Sequence, residues 1–247
     1  MLSFKIFLLF CLFVGSTYII NDYFDIDRDK KHPKKSKRPL ASGKLNKYFA
    51  LILSILILLL IPLVTYYNYS LIILALFLLY LINSIFYSTY IKNIVILDVF
   101  SIAIGFVIRG LIGTYIINVE LSYWFIIMLF FGSLLLGFLK RYQEVKLGID
   151  SRKNIKEYNE EFLKQIVSMI TTVLLLSYAL YTFQSIQNKF MIYTLPIVSF
   201  GIIRYYYNIF FLNKFDNSIE EIIFDDKFLL GSIIIYFGVV FFILSVL

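Results

Sequence analysis

The sequence predicts an all-α, polytopic membrane helix bundle of about eight transmembrane helices. Three observations carry that prediction. The 247 residues are 60% hydrophobic and only 16% charged, against about 45–50% and about 25% for a soluble domain, an excess too large for one water-soluble core. The apolar residues fall into eight stretches near the ~20 residues that a helix needs to cross a bilayer: 2–20, 48–67, 70–87, 94–117, 122–139, 162–183, 190–209 and 229–247. Finally, 18 of the 23 Lys and Arg residues lie in loop 21–47, segment 88–93, loop 140–161 and loop 210–228, which are alternate connections. That alternation follows the positive-inside pattern, with these loops in the cytoplasm and the N-terminus outside.

Each stretch has its own justification. Residues 2–20 resemble a signal peptide, with Lys5 ahead of an apolar run ending in Gly15, Ser16 and Thr17. No A-x-A cleavage pattern follows, and the run leads straight into carboxylates, so it reads as an uncleaved helix. Stretches 48–67 and 70–87 are joined by two residues, 94–117 and 122–139 by four, and 162–183 and 190–209 by a short segment holding Lys189. These are the outer turns, and 229–247 completes the set. We read 1–247 as a single transmembrane domain of an integral cell membrane protein. The net charge of +7 is then a topology signal, which argues against nucleic acid as a partner. One Cys (Cys11) and one His (His32) exclude a disulfide framework and any multi-Cys or multi-His metal site.

Four of the acidic residues crowd into eight positions at the end of the first helix, Asp22, Asp25, Asp27 and Asp29. Asp22, Asp25 and Asp29 are spaced i, i+3, i+7, so they share one face of a helix continuing past Ile20. Asp27 points elsewhere, and Asn21 adds a neutral polar group. Like charges at that spacing repel, and a divalent cation is the obvious compensator. Mg²⁺ usually binds through one or two carboxylates, several waters and substrate phosphates. A solvated helix end is the plainer reading. A calcium loop fails, because Lys30 and Ser36 stand where an EF-hand needs Gly and Glu.

The residues that follow make the pattern specific. N-D-x-x-D-x-x-x-D from Asn21, then H-P-x-K-x-x-R-P-x-A-S-G from His32, resembles the UbiA superfamily of intramembrane prenyltransferases. More narrowly it resembles the decaprenyl-phosphate phosphoribosyltransferase branch. That resemblance implies Mg²⁺-dependent transfer of 5-phosphoribose from phosphoribosyl diphosphate (PRPP) to a polyprenyl phosphate, with release of diphosphate. It implies a metal site of Asp22, Asp25 and Asp29. Asn21, Lys34, Lys37, Arg38, Lys92, Arg109, Lys140, Arg141 and Glu144 are the substrate-binding candidates, with the active-site loops facing the cytoplasm. The partners implied are the lipid phosphate, PRPP and the bilayer, with a homo-oligomer left open.

Further segments fit the same branch. Tyr87, Ser88 and Lys92 form a Y-S-x-x-x-K pattern before the fourth helix. Asp98, Ser101, Gly105, Arg109 and Gly113 recur at three- and four-residue steps along that helix, a small and polar face. An Arg near mid-helix is costly in a bilayer and is a functional candidate by default; the plainer reading is an Arg pairing inside the bundle. After the fifth helix, where aromatic-prenylating members carry a second Asp motif, this chain has Lys140, Arg141 and Glu144, with Lys140 and Glu144 on one face. Arg204-Tyr205 and the run from Ile219 to Asp226 resemble the branch's R-Y and P-E-E-x-x-x-x-D segments, with Ile219 in place of Pro. Family members usually begin with one further helix, opened by an R-P-x-Q-W-x-K-N-like segment, so nine helices are expected where this sequence offers eight.

Two other functions compete. One is prenyl transfer from a polyprenyl diphosphate to an aromatic or other acceptor, which normally uses two Asp motifs. The other is a non-enzymatic transporter or lipid-binding protein with an ion path of Asp and Arg residues. The densest carboxylates, however, sit at a helix end and not at the midplane.

Overall fold

The computed structural model describes residues 2–30, 35–119, 122–148, 153–184, 189–212 and 219–246. Among the described residues all regular structure is helical, and seven helices are long and apolar enough to cross a membrane. The protein is an all-α, polytopic membrane protein. The helices are α1 (Leu2–Asp29), α2 (Lys47–Asn68), α3 (Leu71–Thr89), α4 (Leu97–Ile117), α5 (Tyr123–Lys146), α6 (Glu160–Gln184), α7 (Leu195–Phe210), α8 (Ile219–Asp225) and α9 (Lys227–Val246). Two compact units are resolved: 1–122 with 150–157, and 123–149 with 158–247.

The stretch at 190–209 differs from the sequence expectation. It is a 3₁₀ turn, Lys189–Thr194, followed by the 16-residue α7. Pro196 sits in the first turn of α7, where its missing N–H does no harm; further inside a helix it would break a bond, so the α-helix starts there. Sixteen residues rise about 24 Å, short of a ~30 Å hydrocarbon core.

The first unit packs α1 against α2 and α3, and α3 against α4. Ile6 and Phe13 of α1 meet Leu58 and Ile61 of α2, Ile73, Phe77 and Tyr80 of α3, and Ile108 and Ile112 of α4 in one buried cluster. Edge-on contacts of Phe10 and Phe13 with Phe77 order its centre. The surface is apolar, with Leu59 and Leu71 about two-thirds exposed, as lipid-facing positions require. Two buried hydroxyls of α2 are satisfied within their own helix. Ser54 donates to the Ala50 carbonyl at 2.7 Å and Thr65 to that of Ile61 at 2.8 Å, since no water is there to take them. In the second unit α5 packs on α6, and α7 on α9.

Between α3 and α4 a two-way bond replaces apolar packing. The Asn83 amide donates to the Ser101 carbonyl at 3.0 Å, and the Ser101 hydroxyl donates to Asn83 Oδ1 at 2.9 Å. Gly105, one turn on, is buried; a Cβ there would sit 3.6 Å from the Asn83 amide, an ordinary contact. Interhelical hydrogen bonds in membranes average about 0.6 kcal/mol, at most about 1.7. Asn83→Ala should therefore lower stability by about 1 kcal/mol, read as a reduced unfolding midpoint in detergent, while Gly105→Ala stays near wild type.

Candidate active site

Helix α1 runs unbroken through the carboxylates, since neither Gly nor Pro occurs between Gly15 and Pro33. Asp22, Asp25 and Asp29 therefore keep the single stripe that the sequence predicts. Asp29 is 3% exposed, whereas the Asp27 side chain is almost wholly exposed, with Lys30 at 3.9 Å. Asp27 belongs to solvent.

Two chain segments, one close in sequence and one remote, bring cations to the stripe. The first follows the 3₁₀ turn Lys35–Lys37, where Arg38 N–H bonds the Lys35 carbonyl and Ser42 N–H bonds that of Arg38. Gly43, at φ 75°, takes the left-handed conformation that closes this turn. One nitrogen of Arg38, Nη1, donates to both Asp22 Oδ1 at 2.6 Å and Asp29 Oδ2 at 2.9 Å. The second segment is the 3₁₀ turn Ile91–Asn93, whose buried Lys92 donates to Asp25 Oδ1 at 2.7 Å. Arg28 stands 3.7 Å from the same oxygen. Ile96, between Lys92 and α4, has φ 71°, a conformation costing a β-branched residue about 1–3 kcal/mol that persists only where the surroundings over-determine it.

The residues fit a divalent cation in a particular way. Among the described residues no three acidic, His or Cys side chains converge closely enough to cage an ion. Asp22 and Asp29, however, meet on one cationic atom, and Asp25 turns to Lys92. Two carboxylates on a common point are the donor set Mg²⁺ takes from proteins, the rest being waters and phosphates. Asn21 Oδ1, buried and without a hydrogen-bond partner, is a further hard oxygen beside them.

The other predicted residues are distributed as follows. Lys34, with His32, lies outside the described residues. Lys37 is exposed on its turn. Arg109 is half-buried on α4 and donates through Nη2 to the Tyr80 hydroxyl at 2.7 Å and the Tyr18 hydroxyl at 3.3 Å. In the second unit Lys140 is exposed at the end of α5, and Arg141 and Glu144 are buried as an ion pair. Sequence spacing put Lys140 and Glu144 on one face at i, i+4; burial instead gives Glu144 the guanidinium at i, i+3. Also in that unit, Asp226 accepts from Arg204 Nε and Asn208 Nδ2, both at 2.8 Å, and its other oxygen caps the first turn of α9.

Sequence reasoning missed two asparagines. Asn154, fully buried in the 3₁₀ turn Lys153–Glu157, has neither amide atom hydrogen-bonded, and Asn93 Oδ1 is likewise buried without a partner. The two turns carrying them pack together in the first unit. Nothing local marks Asn154, whose loop reads only as basic.

Apolar helices carry an Asp stripe at a helix end, and two loops bring cations to it. The chain belongs to the UbiA prenyltransferase family, whose sequence model matches residues 2–218. It is 29% identical over 181 residues to the decaprenyl-phosphate phosphoribosyltransferase of Mycolicibacterium smegmatis, covering 72% of this chain and 57% of that protein. To the decaprenyl-phosphate phosphoribosyltransferase of Corynebacterium glutamicum it is 30% identical over 188 residues, covering 74% and 57%. The matched region thus spans less than two-thirds of the length of these relatives. The solved structure of a UbiA homolog from Archaeoglobus fulgidus, bound to DMAPP and Mg²⁺, has the same fold. Its TM-score is 0.74 at 18% identity, over 98% of this chain and 86% of that one.

Proposed function

We propose that the protein transfers 5-phosphoribose from PRPP to a polyprenyl phosphate at the cytoplasmic face of the membrane, with Mg²⁺. The observation that carries this reading is the convergence of Asp22 and Asp29 on one cationic atom, with Lys92 fixed on Asp25. Carboxylates and cations so arranged suit a metal-bound diphosphate. The donor is inferred from the names of the relatives and from the H-P-x-K-x-x-R-P-x-A-S-G run.

In this reading an oxygen of the lipid phosphate bonds to the anomeric carbon of PRPP as the carbon–oxygen bond to diphosphate breaks, and the electron pair leaves with diphosphate. The acceptor is already an anion, so no general base is required. Bound Mg²⁺ supplies charge neutralisation on the leaving diphosphate. Asp22 and Asp29 hold that charge in position, Asp25 orients Lys92, and Asn21 offers its free oxygen. Arg38, which the carboxylates already hold, and Lys34 and Lys37 are the nearest sequence candidates for donor phosphates. On α5, the exposed Lys140 is the further sequence candidate. Arg141 serves Glu144, so Arg141→Ala strands a buried carboxylate and tests folding more than binding.

The assay offers membranes and Mg²⁺ two substrate pairs. PRPP with polyprenyl phosphate is expected to give a new acidic lipid and diphosphate, and a chelator to abolish both. Lys140→Ala should raise the PRPP concentration needed, more than that of the lipid. Product only from polyprenyl diphosphate with 4-hydroxybenzoate would replace this reading by aromatic prenyl transfer. Absence of metal-dependent diphosphate release from either pair would favour a transporter or lipid-binding role.

A further inference from the structure

Arg109 is the charge that the proposed donor site does not use. It lies 12 residues into α4 and 8 from its end, about 18 and 12 Å along the helix. Among the described residues no carboxylate pairs with it. Its partners are the hydroxyls of Tyr80 and Tyr18, and the rings of Phe106 and Tyr80 flank its guanidinium at 4.8 and 5.3 Å. Nε is buried and has no hydrogen-bond partner. The cation is held on neutral groups, with donor capacity left over.

Its surroundings are built to receive an anion. A tyrosine hydroxyl that accepts from arginine still has its own hydrogen to donate. Tyr18 and Tyr80 therefore add two donors beside the guanidinium, whose fork matches phosphate oxygens. Helical side chains lean toward their helix N-terminus, so Arg109 reaches back toward the Leu97 end of α4, the end next to Lys92. Tyr18 precedes Asp22 by four residues and lies on the same stripe of α1, one turn or about 6 Å further along the axis. The Arg109 group is thus adjacent to the carboxylates and deeper in the hydrophobic span.

We propose that Arg109, Tyr18 and Tyr80 form a phosphate subsite that takes the phosphomonoester head of the lipid acceptor, its tail running along the apolar surface. This assignment rests on the proposed function and adds the acceptor position to it. A lipid headgroup is favoured over a free phosphate because the group sits a turn inside the carboxylates, on a membrane-spanning helix lined by aromatic rings.

The test measures binding without turnover, to purified protein in detergent with chelator present and PRPP absent. The probes are a short polyprenyl phosphate, the matching alcohol and inorganic phosphate, followed by native mass spectrometry or titration. Wild type should hold the lipid phosphate about tenfold or more tightly than the alcohol, the worth of a charge-assisted contact. Arg109→Gln should lose that preference, Arg109→Lys should keep part of it, and Tyr18→Phe should lose a few-fold. Tyr18 is more than half exposed, so its Phe variant carries the test if Arg109→Gln does not fold. In turnover, Arg109→Lys should raise the acceptor KM and leave that of PRPP near wild type. Equal affinity for phosphate and alcohol, or a preference indifferent to Arg109 and Tyr18, overturns the subsite. Competition by inorganic phosphate as strong as that of the lipid overturns the lipid assignment. Lipid-phosphate binding that depends on Arg109 in a protein inactive with PRPP keeps the subsite and removes the donor assignment. PRPP turnover with Arg109-independent lipid affinity does the reverse.

Discussion

Asp22→Asn and Asp29→Asn are each expected to lower turnover by at least about a hundredfold, the scale seen when one preorganised charge-stabilising group is removed from an active site. The two carboxylates share one cationic partner, so either substitution leaves a divalent ion with one of its two carboxylate ligands. Asp25→Asn should cost a comparable amount by a different route, releasing Lys92, whose buried ammonium needs that carboxylate. Asp27→Asn, at an exposed position off the stripe, should remain within a few-fold of wild type. Diphosphate release from membranes carrying equal amounts of each variant measures this. Similar, near-normal rates in all four would remove the metal reading.

The largest effect on stability is expected at Asp226. Its carboxylate joins α7 to the start of α9, pairing with Arg204 and Asn208 through one oxygen and capping the Phe228 and Leu229 amides through the other. Removing one partner of a buried pair costs about 3–5 kcal/mol, and Arg204 is partly exposed, so about 3 kcal/mol is expected for Asp226→Ala. Asp226→Asn keeps a capping oxygen and should lose less. Burial opposes ionisation of this carboxyl, but bonds from Asn208, the Leu229 amide and Arg204 outweigh it and hold its pKa at about 2. The value in an unfolded chain is about 3.9. The lowered folded value means that the contribution is fully present above the unfolded pKa and is lost as pH falls through about 2. Unfolding midpoints followed from pH 6 to 2 should therefore fall more steeply below pH 4 in wild type than in Asp226→Ala. Parallel curves would show that this carboxylate contributes no pH-dependent stability.

The legible parts of the site were those fixed by helix periodicity. The Asp22–Asp25–Asp29 stripe and the outward position of Asp27 follow from rise and turn along one helix, and the structure keeps both. Partner choice was less legible. Glu144 shares an i, i+4 face with Lys140, yet pairs with Arg141, because burial at the end of α5 selects the residue that turns inward. Arg204 and Asp226 stand in separate motifs, and only the packing of α7 against α9 makes them one unit.

The sequence by itself determined the membrane class, the number of apolar stretches, the continuous carboxylate-bearing first helix and the family pattern from Asn21 to Gly43. These depend on local quantities: the 1.5 Å rise per residue, the apolar length needed to cross a bilayer and the identity of adjacent side chains. Only the tertiary structure decided that Arg38 bridges Asp22 and Asp29, that Lys92 reaches Asp25 across 67 positions, that the turn Lys153–Glu157 with the buried Asn154 joins the first unit, and that Tyr18 and Tyr80 hold Arg109. Each of those contacts depends on which helices lie side by side and on where loops return. The energy that settles it is nonlocal, gained when apolar faces from distant parts of the chain pack and bring buried charges such as Lys92 and Asp226 to partners within about 3 Å.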